Sequence, residues 1–202
     1  MNLKKMALGV LLLGMVLLTC LITFLVMDRR GNDIVEADTG SHSPSAQSLQ
    51  RELDRMRPKG LYIVIDTAMN RLYLKRGDEV LIDAACSTGS GKELVSGDRS
   101  WKFRTPRGEF RVQNKIPNPM WRKPDWAFLE EGEPVPTKEA ERLERGVLGE
   151  YALGIGDGYF IHGTLYNRLL GKNVTHGCVR LASPDLIKLA ETVPIGTRVY
   201  IF

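Results

Sequence analysis

The sequence predicts a mainly β domain with short helices, preceded by one transmembrane helix. Three observations carry that expectation. From Leu61 onward, short runs rich in Val, Ile, Leu and Tyr alternate with tight turns, and helical patterns are confined to brief segments. Met6 to Met27 is apolar and uncharged for 22 residues, about 33 Å as a helix and long enough to cross a bilayer. Two histidine segments, Ile161-His162-Gly163-Thr164 and Thr175-His176-Gly177-Cys178-Val179-Arg180-Leu181, lie a short loop apart in the strand-rich part.

The 202 residues suffice for one domain with a substantial core plus extra length, divided as 1–30, a membrane anchor, 31–58, a polar linker, and 61–202, the folded domain. Apolar content of 43% and charged content of 26% are ordinary for a globular chain. Lys4 and Lys5 supply half of the net charge of +4, which leaves no basic face for nucleic acid.

Met27-Asp28-Arg29-Arg30 offers no small-residue cleavage site, so the apolar run reads as an uncleaved anchor. Leu17-Leu18-Thr19-Cys20 faintly resembles a lipid-attachment site, but apolar residues continue past Cys20. Lys4 and Lys5 precede the run, and acidic residues dilute Arg29 and Arg30 after it. The N-terminus is therefore expected in the cytoplasm and the domain outside.

The linker, Gly31 to Pro58, is small and polar through Asp38-Thr39-Gly40-Ser41-His42-Ser43-Pro44-Ser45, where His42 reads as solvated. Ser48 to Arg57 has the spacing of a short amphipathic helix, with Leu49, Leu53 and Met56 on one side. Leu61–Asp66, Arg71–Lys75 and Glu79–Cys86 read as three strands of an antiparallel meander, with Cys86 at a strand end as a small packed residue. Ser87-Thr88-Gly89-Ser90-Gly91-Lys92 reads as a glycine-rich turn. It is no phosphate loop, because Glu93 replaces the hydroxyl residue and Cys86 the first glycine.

Thr105-Pro106-Arg107-Gly108 turns into a strand over Glu109–Gln113. Asn114 to Gly149, interrupted by Pro117, Pro119, Pro124, Pro134 and Pro136 and carrying Trp121, Trp126 and Phe128, reads as an irregular lid or binding element, whose aromatic rings either lie beside the cleft or fill the local core. A short helix is expected over Thr137–Arg145, capped by Thr137 and ended by Gly146. A buried strand over Gly158–His162 delivers His162 to its end, and Gly163–Val174 is a loop. Ser183-Pro184-Asp185 opens a helix that buries Leu186, Leu189 and Ala190, and Arg198–Phe202 is the last strand.

Cys178 sits in a glycine-loosened turn among His, Thr and Arg, an unsuitable recipe for a core. A free thiol is only a few per cent thiolate near neutrality and needs a base to become an efficient nucleophile. His176 shares a tight turn with the cysteine, whereas His162 arrives on a separate strand end and can meet the sulfur at the right angle. His162 is therefore expected to be the base and to control thiol reactivity near neutral pH. Zinc ligation by His162, His176 and Cys178 lacks a fourth ligand or a C-x-x-C spacing. A Cys86–Cys178 disulfide is the alternative for an oxidising compartment.

The paired motif, its spacing and its context resemble the L,D-transpeptidase catalytic domain family of bacteria over roughly Leu61 to Phe202, with Thr175 standing where serine is frequent. The resemblance implies a β sandwich with short helices and no metal or organic cofactor. The implied activity is acyl transfer on peptidoglycan stem peptides, as 3-3 cross-linking or as protein attachment to the wall. Cys178 would form a thioester with the carbonyl of the third stem residue, often diaminopimelate, and release D-alanine. An amine of a second stem or of a wall-attached lipoprotein would resolve it. His162 would move the protons, with the Gly163 carbonyl orienting its ring. Backbone N–H groups around Gly177 and Cys178 would form the oxyanion site. Thr164, Thr175 and His176 would support the site, and Arg180 would contact a substrate carboxylate or the motif's own backbone. The same resemblance implies a domain outside a bacterial cytoplasmic membrane, in the periplasm or cell wall. A hydrolase on this scaffold, or a non-catalytic wall-binding protein, are the rival readings.

Overall fold

The computed structural model describes residues 45–202. The expected span over Met6–Met27 and most of the linker lie outside them; among the described residues no helix is long and apolar enough to cross a membrane. In chain order the elements are α1 (Ala46–Met56), β1 (Leu61–Asp66), β2 (Arg71–Arg76), β3 (Glu79–Gly89), β4 (Glu93–Ser96), β5 (Arg99–Lys102), β6 (Gly108–Arg111), β7 (Asn114–Pro117) and β8 (Met120–Arg122). There follow α2 (Asp125–Glu130), β9 (Leu143–Arg145), β10 (Tyr151–Gly156), β11 (Tyr159–His162), β12 (Asn173–Thr175), β13 (Val179–Leu181), α3 (Ser183–Thr192) and β14 (Arg198–Ile201).

Helix α1 begins earlier than Ser48 because the Ser45 hydroxyl accepts the Ser48 N–H at 3.2 Å, an N-cap bond. Its Leu49 and Leu53 remain exposed.

Strands β1, β2 and β3 form the expected antiparallel meander. Their alternation sends Ile63, Ile65, Leu72, Leu74, Ile82, Ala84 and Cys86 to one buried face. β14 adds beside β1 in parallel, and β6 pairs with β14. On the other side the ladder continues from β3 through β13, β11 and β10 to β7, with β12 on a second stretch of β3.

The two end strands, β6 and β7, are consecutive in the chain and joined only by Val112 and Gln113. So short a link reaches roughly 10 Å, so the sheet must curl until its ends approach. The Val112 N–H bonds to Thr197 O on one side, and the Gln113 N–H to Gly154 O on the other. The expected sandwich is thus one continuous curled ten-stranded sheet, with the core inside the curl. α3 lays Leu186, Leu189 and Ala190 into that core, as expected. Lys115 closes its C-terminal end by donating to Ala190 O and Val193 O at 2.9 and 3.0 Å. Ala182, rather than Ser183, occupies the N-cap, because the Ser183 hydroxyl is drawn to Glu150 at 2.7 Å.

Three local expectations give way to partners distant in sequence. β3 runs through Ser87, Thr88 and Gly89, where a turn is expected. β13 pairs with Cys86 and Ser87, and β12 with Thr88 and Gly89, so the glycine is held in a ladder. Residues 114–149 are less irregular than their prolines suggest: β8 pairs with β9, and α2 lies between them in sequence. The helix expected over Thr137–Arg145 is a single 3₁₀ turn, Glu139–Arg142, followed by β9. Arg142 is pulled out of a helical path by Asp125 at 2.7 Å and by the Lys123 N–H, which donates to its carbonyl. The β4–β5 hairpin has no counterpart in the sequence reading.

Candidate active site

Parallel pairing of β11 and β13 sets Ile161 opposite Val179 and His162 opposite Arg180. Ile161, Val179 and Leu181 point into the core and are fully buried. Alternation then turns Phe160, His162, Cys178 and Arg180 to the other face. There they line a cleft of about 730 Å³, with Trp101 and Phe103 from the β5 side, Trp121 and Trp126 from the lid, and Thr164, Thr175 and His176. The register of two strands thus brings together residues from both motifs.

His162 is 4% exposed. Burial, reinforced by the positive charge of Arg180, pushes its imidazole down to about 4, so the ring is neutral near neutrality. The expected titration near pH 7 is therefore displaced to acid. The Gly163 backbone favours the protonated ring, yet the buried Nδ1 makes no hydrogen bond. Gly163 has a packing role as well. Its N–H donates to Leu148 O at 2.8 Å, and a Cβ there would stand 2.9 Å from the Gly149 Cα. Thr164 accepts the Tyr166 N–H at 3.0 Å and shapes the loop beyond the histidine.

Cys178 and Cys86 are both free thiols, which removes the disulfide alternative. Burial raises the Cys178 thiol, while a backbone hydrogen bond from Phe160 and the Arg180 charge favour the thiolate. Cys86 lies mid-strand with no exposed surface, and burial pushes its thiol up to about 12. Arg180 is half-buried, and among the described residues its guanidinium forms no ion pair or hydrogen bond. Cys178, Tyr166 and His162 are the groups its charge acts on.

The turn before the cysteine is braced by two hydroxyls. Buried Thr175 donates to Cys178 O at 2.6 Å and accepts the Gly177 N–H at 3.1 Å. Thr105 donates to Gly177 O at 2.8 Å while accepting the Gly89 N–H at 2.8 Å. The Gly177 N–H is thus engaged by the Thr175 hydroxyl. Gly177 has φ 129°, and a Cβ there would stand 2.7 Å from the Tyr159 ring and 3.1 Å from Arg104 O. Only glycine fits.

His176 points away from this brace. Its Nε2 lies 2.7 Å from Glu130 Oε2, its ring stacks on Trp126 at 4.2 Å and 22°, and Phe103 meets it edge-on at 4.4 Å. Trp121 lies 6.5 Å from Trp126. Both tryptophans line the cleft, as the lid expectation requires. Among the described residues no three His, Cys, Asp or Glu side chains converge as metal ligands.

Sequence reasoning missed Thr105, Glu130 and the cluster behind the turn, where Thr88 donates to Asn70 and Asn173 bonds to both, each at 2.7–2.8 Å. Thr105 reads locally as part of a Thr-Pro turn, and nothing near Glu130 signals a histidine 46 residues away. The one available signal was Asn70, whose φ of 53° suits its place in the β1–β2 turn.

Residues 60–201 match the family model described as the YkuD L,D-transpeptidase catalytic domain. A Bacillus subtilis protein bearing the name L,D-transpeptidase YqjB is 32% identical over 145 residues, covering 71% of this chain and 72% of that protein. An Escherichia coli protein bearing the name L,D-transpeptidase YbiS is 36% identical over 142 residues, covering 68% of this chain but 43% of its own length. Among solved structures, an L,D-transpeptidase from Xylanimonas cellulosilytica superposes with a TM-score of 0.53 at 24% identity, covering 79% of this chain and 70% of that one. One from Enterococcus faecium gives 0.54 at 19%, covering 71% and 50%. At those identities the two structures speak for the curled, mainly β fold alone.

Proposed function

The chain belongs to the L,D-transpeptidase catalytic domain family, and on that premise we propose that it is a cysteine acyltransferase acting on peptidoglycan stem peptides. The observation that carries the reading is the shared face of β11 and β13. A free cysteine, a neutral buried histidine and an arginine without a carboxylate partner open there into one cleft.

A stem peptide enters with its third-residue carbonyl at Cys178. His162, neutral and with an unsatisfied ring nitrogen, takes the thiol proton as the sulfur attacks, so thiol and base react from uncharged forms. The Cys178 N–H receives the developing oxyanion. The bond to the D-alanine nitrogen breaks, His162 returns the proton to that amine, and a thioester remains. An acceptor amine then gives up a proton to His162, attacks the thioester and regenerates the thiol. Arg180 holds a substrate carboxylate, a role supported by its half-buried, unpaired guanidinium, since a desolvated charge is costly without a partner.

The acceptor amine belongs to a second stem, giving a 3-3 cross-link, or to a lysine of a wall-attached lipoprotein. Under the same reading Met6–Met27 tethers the domain to the outer side of the cytoplasmic membrane, within reach of the wall. Mass spectrometry of a stem tetrapeptide incubated with the protein tests this. Cross-linked dimer with released D-alanine is the expected product. Tripeptide alone would assign a hydrolase, and unchanged tetrapeptide a non-catalytic binder.

A further inference from the structure

We infer that Glu130 is a positioning residue of the acyl-transfer site, acting on the nucleophile's turn through His176; this rests on the acyltransferase reading. Within Thr175 to Cys178, the hydroxyls of Thr175 and Thr105 hold the Gly177 N–H, the Gly177 carbonyl and the Cys178 carbonyl. His176, which precedes Gly177 in that turn, is held in addition through its side chain. Three contacts leave that ring little freedom. Stacking on Trp126 sets its plane, the edge contact with Phe103 sets its tilt, and the bond from Nε2 to Glu130 sets its rotation.

Glu130 stands apart from the other acids of the lid. Glu131 and Glu133 pair with Lys123, Asp125 with Arg99 and Arg142, and Glu139 with Arg122. Those pairs bind the lid to itself or to β5. Among the side-chain polar contacts of the described residues, Glu130–His176 is the one that joins α2 to the cysteine turn. The last residue of α2 and the residue two before the nucleophile therefore move together. Trp126, on the same helix, covers the histidine from the cleft side. A lid placed correctly holds the turn correctly, and a displaced lid releases the ring that orients Cys178.

The test reads Cys178 with two probes in the folded protein: acylation by stem tetrapeptide, which uses the lid, and alkylation by iodoacetamide, which is too small to need it. Glu130→Ala should lower kcat for the tetrapeptide about tenfold with a smaller change in KM, in keeping with a small misplacement of reacting groups. It should also slow alkylation severalfold. Glu130→Gln keeps an acceptor for an Nε2–H and should restore both rates. In a His176→Ala background the Glu130→Ala change should add nothing further.

Unchanged alkylation with lost peptide turnover would reduce Glu130 to a lid contact and overturn the inference. So would additive losses in the double variant, or no loss in Glu130→Ala. If the wild-type protein leaves the tetrapeptide unchanged, the acyltransferase reading fails, while the alkylation rates still decide whether Glu130 positions the turn.

Discussion

His162 stands directly opposite Arg180 in the parallel pairing of β11 and β13, and a single guanidinium acts on both the His162 imidazole and the Cys178 thiol. It holds the imidazole down and favours the thiolate of Cys178. Replacing Arg180 by Gln should raise the His162 titration from about 4 towards its ordinary value, though burial, the larger cause, will keep it below that value. The same change should raise KM for a stem tetrapeptide about tenfold to a hundredfold, the scale of a lost hydrogen bond to a charged group. Histidine NMR titration and steady-state kinetics on one variant check both. An unchanged KM would remove Arg180 from substrate binding.

The pH dependence has a definite sign. His162 has a folded value near 4 against an ordinary 6.5, so the unfolded chain binds the proton more readily between them. Stability attached to the neutral ring is fully present above about pH 6.5 and is lost as pH falls to about 4, on the order of a few kcal/mol. Denaturant unfolding of the wild type and of His162→Gln across this window should show the slope flattened in the variant.

Alkylation separates the two histidines. Because burial raises the Cys178 thiol and leaves His162 neutral, the alkylation rate should climb above neutral pH without a step near 7. His162→Ala should lower acylation by about 10²–10⁴-fold, the usual cost of losing a general base. His176→Ala should act through geometry, with the shape of the pH profile kept. Unimpaired acylation in folded His162→Ala, with a loss of that size in His176→Ala, would exchange the roles.

The cysteines should differ as sharply. Cys178→Ala should abolish turnover and keep the fold. Of Cys86 and Cys178, native alkylation should label Cys178 alone, because Cys86 is inaccessible and its thiol is pushed up to about 12. Cys86→Ser should retain activity and lose about 1–3 kcal/mol from burying a hydroxyl in an apolar strand. Labelling stoichiometry by mass spectrometry and a melting curve are the measurements.

Thr175→Val should cost about 1–3 kcal/mol, since it strands Gly177 N–H and removes the donor to Cys178 O. Activity should fall with it, and Thr175→Ser should recover both. Trp126→Ala should lower turnover more than melting temperature, because its ring covers His176 at the cleft. Trp121→Ala should do less, since that ring lies 6.5 Å from Trp126 rather than against His176.

The sequence by itself determined what nearest neighbours control. Alternation and turn chemistry drew the meander of β1 to β3, the buried face of α3 and the last strand, because side-chain direction along a strand or helix follows from local backbone geometry. The two motifs likewise singled out Cys178 and His162 through residue type and spacing. Whether Ser87–Gly89 is turn or strand depended on β12 and β13, which lie more than 80 residues later and supply its hydrogen bonds. Arg142 left its expected helix for an aspartate 17 residues upstream.

The site divides in the same way. That His162, Cys178 and Arg180 share a face is a matter of β11–β13 register, and that burial pushes His162 down to about 4 is a matter of the core closing over it. Hydrogen-bond register and desolvation depend on what the rest of the chain packs against a residue, so only the tertiary structure could decide them. Glu130 reached His176 by the same route, through the placement of α2 against a turn that its own neighbours in sequence do not mention.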